Sequence, residues 1–256
     1  MTRDLNDQHA LVTGAGQGIG EAIARQLLAR GARVTVLGRR AGTLQQLVDE
    51  FPGLCHMELA DVADESQVKT AFAQAASALG AIDILVNNAG QAQSAPFMKM
   101  DLTLWQNMLA VNLTGTMLCI QQVLPVMVER GRGRIVNVAS TAGLKGYAYV
   151  AAYCAAKHAV VGLTRALAQE LASKGVTVNA VCPGYTETEI VRESIARVVE
   201  KTGRTPEQAM AEFVKGNPQG RLVQPQEVAD AVLWLCGPGA GAITGQSIAV
   251  AGGEVM

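Results

Sequence analysis

The sequence has no CxxC pair, no block of like charge and no apolar leader, and each absence removes a class of function. Its five cysteines (Cys55, Cys119, Cys154, Cys182, Cys236) are odd in number and widely scattered, which fits neither a disulfide framework nor a zinc site, so no metal is expected. A reducing cytoplasm is the expected setting. With 21 Lys and Arg against 22 Asp and Glu, the net charge of -1 gives no reason to expect nucleic acid or an anionic membrane as partner. The opening Met1-Thr2-Arg3-Asp4-Leu5-Asn6-Asp7 is polar and lacks the apolar core of an export signal. Internal repeats and low-complexity tracts are also missing.

Charge itself is missing from one long run, Leu102 to Val128, which is long enough to span a bilayer. Gln106, Asn107, Asn112, Gln121 and Gln122 would lack partners in hydrocarbon, and Pro125 is expected to break the helix near one end. The run therefore reads as a helix buried on more than one side, partly against another subunit. What is present is 49% hydrophobic residues and 27 Gly in 256 residues, enough for one well-filled core and a single domain over 1–256.

The first apolar run, His9 to Thr13, ends in the glycine-rich turn Thr13-Gly14-Ala15-Gly16-Gln17-Gly18-Ile19-Gly20, and helical spacing follows at Ile23, Leu27 and Leu28. Strand, tight loop and helix in that order suit a dinucleotide, whose pyrophosphate is approached by glycine backbone and stabilised by the helix N-terminus. A second strand, Arg33 to Leu37, ends at Gly38-Arg39-Arg40. An NAD site wants an acid about 20 residues past the glycines, and here two guanidiniums stand instead, suited to a 2′-phosphate. Further strands are expected at 55–59, 82–87, 134–138, 176–182 and 247–250, with helices between them: a parallel, doubly wound α/β sheet of about seven strands with helices on both faces. After Pro183-Gly184 roughly forty residues intervene before the sheet resumes, a substrate lid at about 185–222. It carries helices at about 187–201 and from Thr205, which caps, with Gln208 closing a capping box. Six acids and six bases from Tyr185 to Leu222 leave the lid without a net charge.

Tyr153 and Lys157 are (i, i+4) neighbours on one helix. A free phenol titrates near pH ~10, and a fixed cation at ~4 Å and an effective dielectric of ~20 is worth about 4 kcal/mol, enough to bring it into the range of acid/base catalysis. Ser140 follows the fifth strand, at the carboxyl edge where ligands of such sheets bind.

Taken together, TGAGQGIG at 13–20, Asp61, Asn87-Asn88-Ala89-Gly90, Asn112, Ser140, Tyr153-x-x-x-Lys157, Pro183-Gly184 and Thr188 resemble the short-chain dehydrogenase/reductase family over essentially the whole chain, which implies a Rossmann-type fold. The resemblance implies roles. Tyr153 would be the general acid/base, Ser140 would hold the substrate oxygen, Lys157 would lower the Tyr153 pKa and bind the nicotinamide ribose, and Asn112 would hold a water from within a kinked helix. The cofactor, NADP with NAD as the alternative, would lie along Gly14, Gln17, Gly18, Ile19, Gly20, Arg39, Arg40, Asp61, Val62, Asn88, Ala89, Gly90, Tyr153, Lys157, Pro183, Gly184, Thr186 and Thr188. Substrate would meet Gln91, Gln93, Ser94, Ser140, Leu144, Tyr147, Tyr149 and Tyr153.

Within the family, the run from Gly220 to Gly245 looks most like ketoreductases of 3-oxoacyl thioesters, including polyketide ketoreductases, and hydroxyacyl-CoA dehydrogenases. A ketone and a secondary alcohol would be interconverted, on a 3-oxoacyl thioester or a bulky hydrophobic ketone. The apolar lid residues Ile190, Val191, Ile195, Val198, Val199, Met210 and Phe213 would close over it, some of them packing on the body. An alcohol or sugar dehydrogenase, an epimerase or dehydratase, and a silent dinucleotide sensor are the alternatives. A homotetramer is expected, because the charge-free helix and the apolar far face of helix 151–174 need cover. Cys154, His158, His9 and His56 read as packing or structural residues.

Overall fold

The computed structural model describes residues 4–255, and Met1 to Arg3 of the polar opening lie outside them. Strands β1 (His9–Thr13), β2 (Arg33–Gly38), β3 (Cys55–Leu59), β4 (Ile84–Asn87), β5 (Gly133–Val138), β6 (Val176–Pro183) and β7 (Ser247–Val250) form one sheet. Its order is β3-β2-β1-β4-β5-β6-β7, with every neighbouring pair parallel. The chain moves outward one way from β1 and then returns to build the other way from β4. Between those two strands lies the switch point, where a crevice opens at their carboxyl ends.

Side chains alternate across the sheet with period two. Ala10, Val12, Val34, Val36, Ile84 and Val86 face α1 (Gly18–Ala29), α2 (Ala41–Glu50) and α9 (Pro225–Cys236). Leu11, Leu37, Leu85, Ile135 and Val178 face the opposite way, onto α3 (Glu65–Leu79), α5 (Gly115–Glu129) and α6 (Ala151–Leu171). Each fully buried Val, Leu or Ile is worth about 1.5–3 kcal/mol. A one-residue slip would exchange the two faces, so register is firmly specified wherever both are covered. The sequence reading passed over α2, which the structure shows packing Leu44 and Leu47 into the first face.

The charge-free run is one continuous helical path, α4 (Leu102–Leu109), a π-helical turn at Ala110–Thr114, and α5. Leu102–Glu129 has the length and mean hydropathy (1.4) of a membrane span. It packs as a core helix, α4 on α6 and α5 over β4 and β5 beside α3. Pro125 does not break it, contrary to the sequence expectation: the helix continues to Glu129. Pro125 and Gln121 both lie on the exposed side, so the carbonyl freed four residues back meets solvent, while Val123 and Met127 hold the helix by their buried side.

Between β6 and α9 stand α7 (Glu189–Thr202) and α8 (Pro206–Val214). The expected capping box on α8 is present, with Thr205 Oγ1 accepting from the Gln208 N–H at 3.3 Å and Gln208 Oε1 from the Thr205 N–H at 3.1 Å. Val191 and Ile195 are buried with Ala209 and Leu222, and Val198, Val199, Met210 and Phe213 pack around them. The apolar lid residues thus make a small core of their own, packing on one another where some were expected to pack on the body, and Ile190 is left exposed.

Candidate active site

The crevice between β1 and β4 is held by backbone and short polar side chains. Thr13 Oγ1 accepts from the N–H groups of Asn88 and Ala89, both at 3.0 Å, and Asn88 Nδ2 donates to the carbonyls of Thr13 and Gly14, both at 3.1 Å. Gly14 and Gly18 take left-handed φ values of 64° and 56°, which favour glycine. A Cβ on Gly20 would run into the Gly14 carbonyl and Asn88 Nδ2, so the loop and the β4 end approach each other only because Gly20 has no side chain. Gln17 is the N-cap of α1 and gives it no side-chain cap, so N–H groups of the first turn remain to meet a phosphate. This cradle fits a pyrophosphate.

At the end of β2, Arg39 Nη1 stands 3.6 Å from Asp61 Oδ2, and Arg40 Nη2 donates to the Gln17 side chain. The two guanidiniums therefore sit at the mouth of the glycine loop with no acid at Gly38, and they fit a 2′-phosphate. Val62 is buried against α5, where a Cβ on Gly115 would come 2.8 Å from it. Pro183 closes β6, the Gly184 N–H donates to the Val250 carbonyl at 3.0 Å, and Thr186 bridges to Val223. The Thr188 methyl group would lie 3.0 Å from a Cβ on Gly18, so the first residues of the 185–222 segment rest on the glycine loop, beside Ile19.

The chemistry-bearing residues meet at the carboxyl end of β5. A buried polar ladder positions them: Asn87 Nδ2 donates to Asn137 Oδ1 (2.9 Å), Asn137 Nδ2 to Thr164 Oγ1 (2.9 Å), and Thr164 to the Val160 carbonyl (2.8 Å), tying β4, β5 and α6. Ser140 follows β5, and its Oγ accepts from the Ala142 N–H at 3.1 Å. The turn 141–143 presses so closely on α6 that a Cβ on Gly143 would sit 2.7 Å from the Lys157 carbonyl. Tyr153 and Lys157 share the α6 face above this turn, with Ser140 close enough to lower the Tyr153 phenol against the effect of burial.

Lys157 is 5% exposed, and its Nζ donates to the Val138 carbonyl at 2.9 Å. That ammonium is 5.7 Å from the centroid of the Tyr153 ring. The sequence reading expected it to depress the phenol, and the structure reverses that for the cofactor-free chain. Burial pushes Tyr153 up to about 12, against a downward pull from Ser140, and burial lowers Lys157 to about 8. Each group is pressed towards its neutral form by its own burial, and the ammonium's hydrogen bond goes to a backbone carbonyl.

Asn112 lies in the π-helical turn, the local distortion expected of it. Its Nδ2 donates to the carbonyls of Met108 and Gln91, both at 2.9 Å, and its Oδ1 accepts from the Gln91 N–H at 3.2 Å. Asn112 thereby satisfies a carbonyl of its own helix and holds the loop after β4. A Cβ on Gly90 would touch Asn112 Oδ1 at 2.8 Å and Lys157 Nζ at 3.6 Å, so Asn112 and Lys157 flank one narrow space.

Of the expected substrate residues, Gln93 and Ser94 are exposed, and Gln91 is partly covered. Tyr149 is 66% exposed at a left-handed φ of 68°, and its carbonyl accepts from the Ala95 N–H at 2.8 Å, joining the two loops. Leu144 is partly buried and packs against a small core that includes Val160 and Val161. Tyr147 donates to Glu254 at 2.6 Å. Tyr185, which sequence reasoning left out, lies between Tyr147 and Phe213 with ring centroids 6.2 and 5.0 Å away. His9 is bound to Gly80 and Thr35, and His158 is exposed with a bond back to the Cys154 carbonyl, as their structural reading implies.

A doubly wound parallel sheet with a glycine cradle at its switch point and a Ser-Tyr-Lys cluster beside it defines a dinucleotide-dependent oxidoreductase. Residues 8–198 match the model of the short chain dehydrogenase family, and the chain belongs to that family. It is 42% identical over 252 residues to a putative ketoacyl reductase of Streptomyces coelicolor, covering 95% of each. It is 37% identical over 250 residues to a D-beta-hydroxybutyrate dehydrogenase of Rhizobium meliloti, covering 95% of this chain and 97% of that one. Among solved structures, a variant of actinorhodin polyketide ketoreductase crystallised with NADPH superposes with a TM-score of 0.93 at 40% identity, over 99% of both chains.

Proposed function

We propose that the protein is an NADPH-dependent ketoreductase that converts a 3-oxoacyl thioester, or a similarly bulky hydrophobic ketone, to the secondary alcohol, and runs the reverse oxidation when driven. The observation that carries the reading is the meeting of Ser140, Tyr153 and Lys157 at the end of β5, beside a phosphate cradle with the Arg39 and Arg40 guanidinium groups at its mouth. Likeness to ketoacyl and polyketide ketoreductases supports the substrate class. The nicotinamide supplies a hydride when bound. This chain's residues place the carbonyl and handle one proton.

In reduction, the Ser140 hydroxyl donates to the ketone oxygen and fixes it beside the Tyr153 phenol. As the carbonyl carbon gains its hydride, the C–O double bond becomes single and the oxygen takes the Tyr153 proton. A phenol held near 12 is protonated at neutral pH, ready to donate to a developing alkoxide, which is far more basic. The nearby Lys157 ammonium stabilises the phenolate that remains, and a proton returns from solvent through the space flanked by Asn112 and Lys157. Residues 185–222 act as the substrate lid of a single catalytic domain. Active molecules assemble as cytoplasmic homotetramers through the exposed side of α4–α5 and the far side of α6.

A panel of acetoacetyl-CoA, bulky cyclic ketones and free sugars, followed at the nicotinamide absorbance with NADPH and NADH, tests the reading. Thioester or cyclic ketone should turn over with NADPH preferred, and Gly38→Asp combined with Arg39→Ser should move preference to NADH. Turnover of a sugar alone, at kcat/KM of ~10⁴ M⁻¹s⁻¹ or more, would overturn the substrate class.

A further inference from the structure

Glu254, in the segment after β7, is a carboxylate whose side chain is only 3% exposed. It has two side-chain partners, both from the loop between Ser140 and α6: Lys145 Nζ at 3.1 Å and the Tyr147 hydroxyl at 2.6 Å. Burial and this donated hydrogen bond raise Tyr147 above the usual phenol range, so it remains a donor. Tyr147 also shares a 2.7 Å hydrogen bond with Thr141, and Lys145 lies 5.0 Å from its ring centroid.

The same carboxylate fills the space beside two glycines, one at the start of the lid and one within it. A Cβ on Gly184, where the lid begins, would stand 3.0 Å from Oε2, and one on Gly216, just past α8, would stand 3.0 Å from Oε1. Tyr147 meets Tyr185 edge-on, and Tyr185 meets Phe213 of α8, so an aromatic row leads from the carboxylate into the lid's own core. A buried anion uses its partners fully, because removing either leaves charge uncompensated.

We propose that Glu254 is a positioning residue: by holding Lys145 and Tyr147 while its two oxygens fill the space left beside the side-chain-free Gly184 and Gly216, it latches the lid onto the substrate loop and so sets how the ketone is bound. It does not touch the reacting atoms. The idea rests on the ketoreductase reading for its kinetic consequence, but the latch itself is a mechanical claim that can be read without substrate.

Three full-length variants test it: Glu254→Ala, Glu254→Gln, which keeps the acceptor for Tyr147 but not the charge for Lys145, and Lys145→Met. Trypsin cleavage of the cofactor-free proteins at the lid sites Arg197 and Arg204, timed by mass spectrometry, should quicken by about fivefold or more in Glu254→Ala and by less in the other two. KM for the ketone should rise by about fivefold or more with kcat within about twofold, the pattern of lost ground-state binding, while the cofactor Kd is unchanged. Should Glu254→Ala fail to fold, Glu254→Gln, equal in size, carries the test. Lid cleavage unchanged in Glu254→Gln and Lys145→Met, or KM and cofactor Kd rising together, would overturn the latch. If the wild-type protein reduces no ketone, the activity reading falls while cleavage alone still decides the latch.

Discussion

Replacing Lys157 by Met should make the cofactor-free protein behave oppositely at neutral and alkaline pH relative to what a lost ion pair would give. Burial lowers the Lys157 ammonium from 10.5 to about 8, which at about 1.4 kcal/mol per tenfold makes its charge cost about 3 kcal/mol below pH 8. Because the folded value is depressed, the unfolded chain holds more protons between pH 8 and 10.5, and wild-type stability rises with pH across that window. Met is long, apolar and untitratable, so it removes the cost and its pH dependence. It also strands the Val138 carbonyl, now bonded at 2.9 Å, at about 1–3 kcal/mol that does not vary with pH. The net effect at pH 7 is therefore small or stabilising, and the variant should lose about 2–2.5 kcal/mol relative to wild type by pH 10. At about 2–4 °C per kcal/mol for a chain of this size, the Tm difference should move by roughly 5–10 °C. Differential scanning fluorimetry of both proteins from pH 7 to 10, without cofactor, measures it. A Tm difference constant to about 1 °C would show that Lys157 carries no burial cost and would refute the account.

Tyr153→Phe should lower kcat by about 100-fold or more, since only the transferable proton is removed, while the cofactor Kd measured by fluorescence changes little. More than a tenth of wild-type kcat would sink the acid role. Two glycine substitutions should move stability in opposite directions. Gly20→Ala forces a Cβ into backbone and Asn88, costing about 1–3 kcal/mol and most of the cofactor affinity. Gly42→Ala, in α2 with nothing within 4 Å of the added carbon, should gain up to about 1 kcal/mol. Equal Tm shifts for the pair would contradict the packing.

Local signals made most of the fold legible. The strand runs and the Thr205–Gln208 capping pair each act within a few residues, and the structure shows them where the sequence put them. The α2 helix was missed because the Arg39-Arg40 pair before it and Gly42 in its first turn read as loop, and its packing on β2 is a tertiary effect. Pro125 misled for a similar reason, since whether a proline ends a helix depends on which side its lost carbonyl faces. At the site, the Tyr153–Lys157 spacing, the place of Ser140 after a strand and the family resemblance for Asn112 singled out residues that the structure brings close together, but none of these signals says where an ammonium points, and Lys157 turned to Val138. Glu254 and Tyr147, 107 residues apart, and the Tyr185 ring between the loop and α8 meet only in three dimensions.

The interior place of β1 in the sheet bears on how the chain is born. Ala10, Leu11 and Val12 pair on one side with β2, but their other neighbours, Ile84, Leu85 and Val86, are made far later. At about 5–20 residues per second on the ribosome, the nascent β1 edge stays open for roughly 4–15 s. Its three residues are apolar, without charge or proline to discourage a stray strand. A strand buried and paired on both edges in the finished molecule is thus left open during synthesis, so soluble yield in a foreign host will respond to translation rate and chaperone supply as well as to thermal stability.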